Sequence, residues 1–215
     1  MSRSIAAGAP GPLLAATIHW GSVGPLLVTA LAIMGSPGPA TISVTAAGSA
    51  YGLRRSLGYL AGVVAGTVVV LVAVATGITA TLLAVPALRT VLLVLSAAYL
   101  LWLAWRIATA TPVGDQPAAA AAPSLAGGVL LGVANPKAWV AIAATFASAR
   151  LADPATADAA AKVALLSLVA VLIMAAWLVV GASFAPALRD PVRARVVNLA
   201  LAAALVGATA LAILR

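Results

Sequence analysis

Long apolar runs alternate with short clusters of arginine, glycine and proline along the chain beyond residue 20. Six runs stand out, at about 22–47, 57–84, 88–108, 125–149, 162–184 and 194–214. Each is longer than the roughly 18 residues that mark a membrane-spanning helix. The connections are short except at Thr109–Pro123, which holds Pro112, Gly114, Asp115, Pro117 and an alanine run, and at Arg150–Ala161, which holds Asp153, Pro154 and Asp158. The pattern predicts an all-α polytopic membrane protein with six transmembrane helices. It divides into an N-terminal extension at 1–21, a three-helix unit at 22–108, a linker at 109–124 and a second three-helix unit at 125–215. Met1-Ser2-Arg3 and the apolar residues after it loosely resemble a signal peptide, but Pro10 and Pro12 interrupt the run, so the segment reads as a retained extension.

Two of the six runs are broken near their middles. The first break reads Gly35-Ser36-Pro37-Gly38-Pro39-Ala40-Thr41 and the second Ala134-Asn135-Pro136-Lys137-Ala138-Trp139. Proline removes a backbone donor and clashes with the preceding turn. In hydrocarbon such a break survives only where protein or a wet cavity surrounds it. Paired interruptions at corresponding places in two halves point to a transporter's binding site. Three spans per half is an odd number, so two related halves would cross the membrane in opposite senses, as inverted repeats with helices 1 and 4 broken. Pro37 and Pro136 lie 99 residues apart, and the run from Arg89 to Ala98 matches that from Arg195 to Ala204 at several positions.

Composition narrows the chemistry. The chain is 64% hydrophobic and 7% charged, where a soluble domain carries about a quarter charged residues. It has no cysteine and no glutamate, four aspartates (Asp115, Asp153, Asp158, Asp190) and one histidine, His19. Disulfides, thiolate metal sites, carboxylate cages and paired-carboxylate catalysis therefore lack their residues, and neither an enzyme nor a metal or other cofactor is expected. The net charge of +8 is spread over the ends of the apolar runs, which suits topology anchoring rather than nucleic-acid binding. With the N-terminus outside, Arg54, Arg55, Arg106, Arg189, Arg193 and Arg195 fall inside, against Arg89, Arg150, Lys162 and Arg215 outside. An N-out, C-out orientation is favoured.

The breaks carry the candidate site. Pro37 and Pro39 bracket Gly38, which can take backbone angles closed to other residues, and a half-helix restarting near Ala40 presents a partial positive end. Asn135 offers donors and an acceptor, and Pro136 suits the first turn of a restarting helix. Lys137 is the one charge expected deep in the membrane. Two readings of it stand: contact with a substrate carboxylate or a proton, or capping of carbonyls freed at the first break. Trp139 would wall the cavity or simply pack. Thr41 and Thr45 share a helix face one turn apart, with Ser43 between them, and would line the path or bond their own backbone. The candidate binding set is thus Ser36, Pro37, Gly38, Pro39, Thr41, Asn135, Pro136, Lys137 and Trp139. Gly58, Gly62 and Gly66, with Thr67 beside them, and Gly128 and Gly132 read as helix-packing grooves, some of which would face a second copy in a homodimer. Trp20, Tyr99, Trp102 and Trp105 suit interfacial belts, and His19 reads as a solvated histidine near an interface.

At Ser36-Pro37-Gly38-Pro39 and Asn135-Pro136-Lys137-Ala138 the chain resembles the LysE/RhtB family of amino-acid exporters. The spacing of Gly48, Gly52, Gly58 and Gly62, the six spans and the central linker agree with that resemblance, which covers nearly all of the chain beyond residue 20. It implies a secondary exporter of amino acids or related small zwitterionic solutes in the bacterial inner membrane, working by alternating access and coupled to proton entry, with the lipid bilayer and a small-molecule substrate as partners. The family often has asparagine directly after Pro-Gly-Pro, where this chain has Ala40. Two alternatives remain: a non-transporting structural or assembly protein, and an uncoupled efflux facilitator. No ring or run of charges marks a channel filter.

Overall fold

In an apolar surrounding every backbone N–H and C=O must find its partner within the protein, and the helix provides this locally. The computed structural model describes residues 17–77, 86–109, 123–184 and 190–214, and these form eight helices and one short strand pair. The helices are α1 (Trp20–Met34), α2 (Pro39–Tyr51), α3 (Leu53–Ala75), α4 (Pro86–Ala108), α5 (Leu125–Ala134), α6 (Pro136–Ser148), α7 (Ala155–Ser183) and α8 (Pro191–Leu214). Strand β1 (Thr17–Ile18) pairs antiparallel with β2 (Ala152–Asp153).

Three helices, α3, α7 and α8, are long and apolar enough to cross a membrane by themselves. The pairs α1/α2 and α5/α6 pass the same test together, with bends of 67° and 59° at their breaks, which makes up to five spans among the described residues. In α4, the third of the expected spans, Leu93–Ala108 forms a shorter apolar stretch.

Several boundaries differ from the sequence reading. Residues 17–21, assigned to a loose extension, are held by the β1–β2 pair and by the start of α1. The third helix starts at Leu53 rather than 57, directly after a Gly52 whose φ of 78° turns the chain sharply out of α2. That left-handed conformation suits glycine, which has no Cβ to clash. Helix α7 starts at Ala155 rather than 162, so Lys162 lies two turns inside it. Residues 1–16 of the extension, 110–122 of the linker, and Arg189 and Arg215, which count toward the orientation, lie outside the described residues.

Helices α3 and α5 cross at backbone contact. A Cβ on Gly66 would lie 2.5 Å from the Val129 carbonyl oxygen, and one on Gly132 would lie 2.6 Å from that of Val63. Gly62 and Gly128 complete the crossing against Leu125 and Tyr59. Gly58, expected in the same groove, is exposed and has nothing within 4 Å of its missing side chain. The groove thus begins one turn later than the glycine spacing suggests. Two contacts went unforeseen: Gly48 of α2 and Gly181 of α7 meet each other's helices in the same way, and Tyr99 packs on Gly127. The core around these crossings is aliphatic, with Leu26, Leu71, Leu103, Leu131, Ile142 and Leu166 fully enclosed.

Candidate functional site

The first break spans Gly35, Ser36, Pro37 and Gly38, and helix α2 restarts with Pro39 at its first position. The second break is the single residue Asn135, and α6 restarts with Pro136. Both prolines occupy the place where a missing N–H costs nothing, because the first helical N–H has no intrahelical partner. Gly38 caps α2 with an extended backbone, φ −174° and ψ −178°, that any residue can adopt. The Thr41 hydroxyl accepts from Gly38 N at 2.8 Å and donates to Gly38 O at 3.1 Å. Asn135 caps α6, its Oδ1 accepting from Lys137 N at 3.2 Å.

The carbonyls freed by the breaks are met by long side chains from elsewhere. Lys137 Nζ donates to Ser36 O at 2.6 Å, to Ser36 Oγ at 2.8 Å and to Pro37 O at 3.1 Å. Ser36 Oγ in turn donates to Ile33 O. Trp177 of α7 donates its indole N–H to Gly35 O at 3.2 Å, and Trp139 donates to Val133 O at 2.7 Å. Each break thus has a tryptophan satisfying a carbonyl on its incoming half, and Lys137 joins the two breaks. Gly38 makes that junction possible by lacking a side chain: a Cβ there would sit 2.7 Å from Lys137 Cδ and 2.9 Å from Nζ. The sequence reading gave Gly38 a conformational role, whereas its role here is close approach.

A cavity of about 40 Å³ lies against the breaks. Its polar wall is Thr41, Thr67, Asn135 and Lys137. Met34, Ile142, Ile173 and Met174 form the apolar wall, and Ala40, Ala138, Ala141 and Ala170 keep the space open. Among the described residues, Lys137 is the one ionisable side chain on this wall, and no ion pair involves it. Ala40, where the family resemblance leads one to expect asparagine, faces the cavity, so the wall there is apolar.

Of the sequence-derived candidates, Gly38, Thr41, Asn135 and Lys137 therefore line this cavity. Ser36 and Pro37 connect to it through the Lys137 ammonium. Pro39 and Pro136 face a second, smaller space of about 10 Å³ beside Ser96 of α4 and Thr209 of α8. Trp139 is not on the cavity wall, because its indole is turned back to span its own break. Thr45 bonds to Thr41 O and Trp177 O and also lies off the wall. Thr67 was noted only as a neighbour of Gly66, and Trp177 carries no local signal, since its partner Gly35 is distant in sequence.

A second charged cluster lies at the end of the molecule where α1 begins. Lys162, expected as an outer topology charge, is 5% exposed. It donates to Asp158 at 2.8 Å and to Phe146 O at 2.8 Å, with its ammonium 5.6 Å from the Phe146 ring centre. Lys162 is thus more deeply buried than Lys137, which is only partly enclosed. His19, expected to be solvated, bonds to Asp153 at 2.9 Å, and Asp153 also pairs with Arg150. Among the described residues no three side chains of metal-binding type come together.

Three long apolar helices, with two further helix pairs each bent sharply beside a partly polar cavity, define a polytopic membrane protein. The LysE type translocator family matches residues 30–215, and the chain belongs to that family. It is 43% identical over 93 residues to a cysteine/O-acetylserine efflux protein of Salmonella typhimurium, covering 43% of this chain and 45% of that relative. It is 37% identical over 92 residues to a protein of the same description from Klebsiella pneumoniae, covering 42% and 44%. The matched segments thus span less than half the length of these curated relatives. No solved structure matches the chain significantly.

Proposed function

We propose that the chain exports small amino acids or close derivatives, of the cysteine and O-acetylserine kind that its relatives are named for, across the bacterial inner membrane. Family membership and those relatives support the solute class. In this reading the protein has six spans, α4 being one of them, arranged as two inverted repeats. The chain order supports it: a bent helix pair followed by two helices occurs twice, as α1/α2, α3, α4 and as α5/α6, α7, α8. The cavity at the two breaks is the substrate site. Alternating access moves it between the two faces, with N-out, C-out topology, and proton entry drives export. Dimerisation through exposed helix faces belongs to the same proposal.

One observation carries the site assignment: the Lys137 ammonium stands on the cavity wall with only neutral oxygens around it. A buried cation without a counter-charge is costly, and an incoming carboxylate supplies the missing charge. The amide end of α6, capped by Asn135, favours the same anion. The apolar wall of Met34, Ile142, Ile173 and Met174 then receives a short uncharged side chain. Among the described residues no carboxylate lines the cavity to bind a basic side chain.

The three hydrogen bonds of Lys137 also favour a second reading, in which it only caps the carbonyls of the first break. Lys137→Ala separates the two. In sealed vesicles, export of cysteine or O-acetylserine falls at least about tenfold, with membrane insertion unchanged. In purified protein the thermal shift produced by the substrate disappears. A variant that melts earlier but keeps the substrate shift would establish the capping role and remove the carboxylate site. Measuring vesicle pH during substrate-driven flux distinguishes coupled export from facilitated efflux.

A further inference from the structure

On the side where α1 begins, the apolar core continues past the cavity wall. Along α6 that wall stops at Ile142, and the next turn is Phe146. Along α7, going back from Ala170, the same face carries Leu166, which is fully buried, and then Lys162. Along α1, going back from Met34, it carries Ala30 and Leu26, both fully buried. Three apolar stripes thus converge beyond the cavity. Outside them lies the second charged cluster, which ties three separate segments together. Lys162 holds the last turn of α6 through Phe146 O. Asp158 receives Lys162 and also accepts from the backbone N–H groups of Leu151 and Ala152. Leu151 O accepts from His19 N at 2.7 Å, so the same loop holds the entry to α1.

We propose that the Asp158–Lys162 pair of α7, through its bonds to Phe146 O and to the Leu151 and Ala152 amides, is the latch of a gate that closes the ends of α1, α6 and α7 over one side of the cavity, and that these bonds part when solute passes that side. The inference rests on the exporter reading above, and with N-out topology this is the external gate. A static seal would gain as much from apolar side chains, since replacing a buried ion pair with well-packed hydrophobic residues is often neutral or stabilising. A charged latch differs in how it opens. Both ions regain water when the segments separate, whereas an apolar seal loses its burial without return. The pair therefore holds the closed state firmly while keeping the open state accessible.

The chain has no cysteine, so a single Ala141→Cys substitution supplies the sole thiol, on the cavity wall. A membrane-impermeant maleimide is applied to either face of proteoliposomes, and Trp20→Cys in a parallel sample marks the face where α1 begins. Asp158→Asn keeps an oxygen for the Leu151 and Ala152 amides and removes the charge facing Lys162. It is expected to raise the labelling rate of the cavity thiol from the α1 face about tenfold or more, through the larger open population. Lys162→Met is the second variant, because it leaves Asp158 its two backbone donors near the start of α7. Unchanged labelling in both variants, with melting curves showing that each is folded, would overturn the latch. The measurement needs no transport. Faster labelling in a protein that carries no flux keeps the latch and removes the exporter reading; flux with unchanged labelling does the opposite.

Discussion

Two lysines lie inside this protein, and their partners differ in kind. Lys137 is held by two carbonyls and a hydroxyl and has no counter-charge among the described residues. Lys162 is held by a carboxylate, a carbonyl and the face of a ring. An ammonium has three N–H donors; Lys137 places three on oxygens, whereas Lys162 meets two oxygens and the Phe146 ring. The distinction lies in charge. The Lys162 site is neutral as a whole and asks for nothing from outside. The Lys137 site carries a full positive charge beside a cavity, which is the condition under which an anionic group gains most by arriving. On the reading proposed above, the first site receives a ligand and the second holds segments together.

The largest expected effect falls on the property that separates them. Lys137→Ala should weaken substrate binding by at least about tenfold while lowering the melting temperature little, and Lys162→Met should do the reverse. Breaking one half of a buried pair costs on the order of 3–5 kcal/mol, so the Lys162 variant should melt well below the parent. Thermal melts with and without substrate test both together. If Lys162→Met abolished the substrate shift and Lys137→Ala preserved it, the assignment of roles would be inverted.

Gly38→Ala is the next test, because it places a methyl group against the Lys137 side chain. The ammonium must move off Ser36 O, so substrate affinity should drop several-fold, on the order of 1 kcal/mol, with little loss of stability. Isothermal binding measurements read it. The glycine crossing gives a purely structural contrast. Gly132→Val should destabilise by about 1–3 kcal/mol through overpacking against Val63 and Gly66. Gly58→Ala should be neutral or stabilising by up to about 1 kcal/mol, since nothing lies near it.

The smallest effect is expected at a fully solvated charge. Asp190 caps α8, accepting from Val192 N and Arg193 N at 2.9 Å, and these bonds, the Arg193 one foremost, hold its carboxyl below the usual aspartate range. A depressed folded-state value adds stability above the unfolded value, and that stability fades as pH falls through the folded one. Asp190→Ala should therefore flatten the stability profile slightly below about pH 4 and cost little at neutral pH. A large loss at neutral pH would mean that surface charges count for as much here as buried ones.

Much of this was legible from local rules. Apolar run length marks α3, α7 and α8, and the physics of proline marks the restart of α6 at Pro136 and that of α2 within one residue of Pro39. Gly38, Thr41, Asn135 and Lys137 could be named from the two motifs because proline breaks, helix caps and a lone intramembrane cation are each local signals. The interior role of Lys162 was not legible. Its neighbours in sequence are alanines, and the hydropathy of 155–162 looks like a loop approaching a span. Only the helix start at Ala155 puts Asp158 and Lys162 one turn apart, and only the return of the chain brings Phe146 O above them. Trp139 and Trp177 were opaque for a related reason. A tryptophan reads as apolar bulk until a freed carbonyl lies within reach of its N–H.

Those two indoles have a practical consequence. Of the five tryptophans, Trp20, Trp102 and Trp105 are exposed on the helices' outer faces. Trp139 and Trp177 instead donate to the carbonyls of the two breaks, beside the cavity. Intrinsic fluorescence thus divides into a lipid-side background and a pair of optical reporters built into the backbone interruptions. Replacing the three outer tryptophans with phenylalanine would leave a protein whose own emission follows each break as it tightens or opens during a transport cycle.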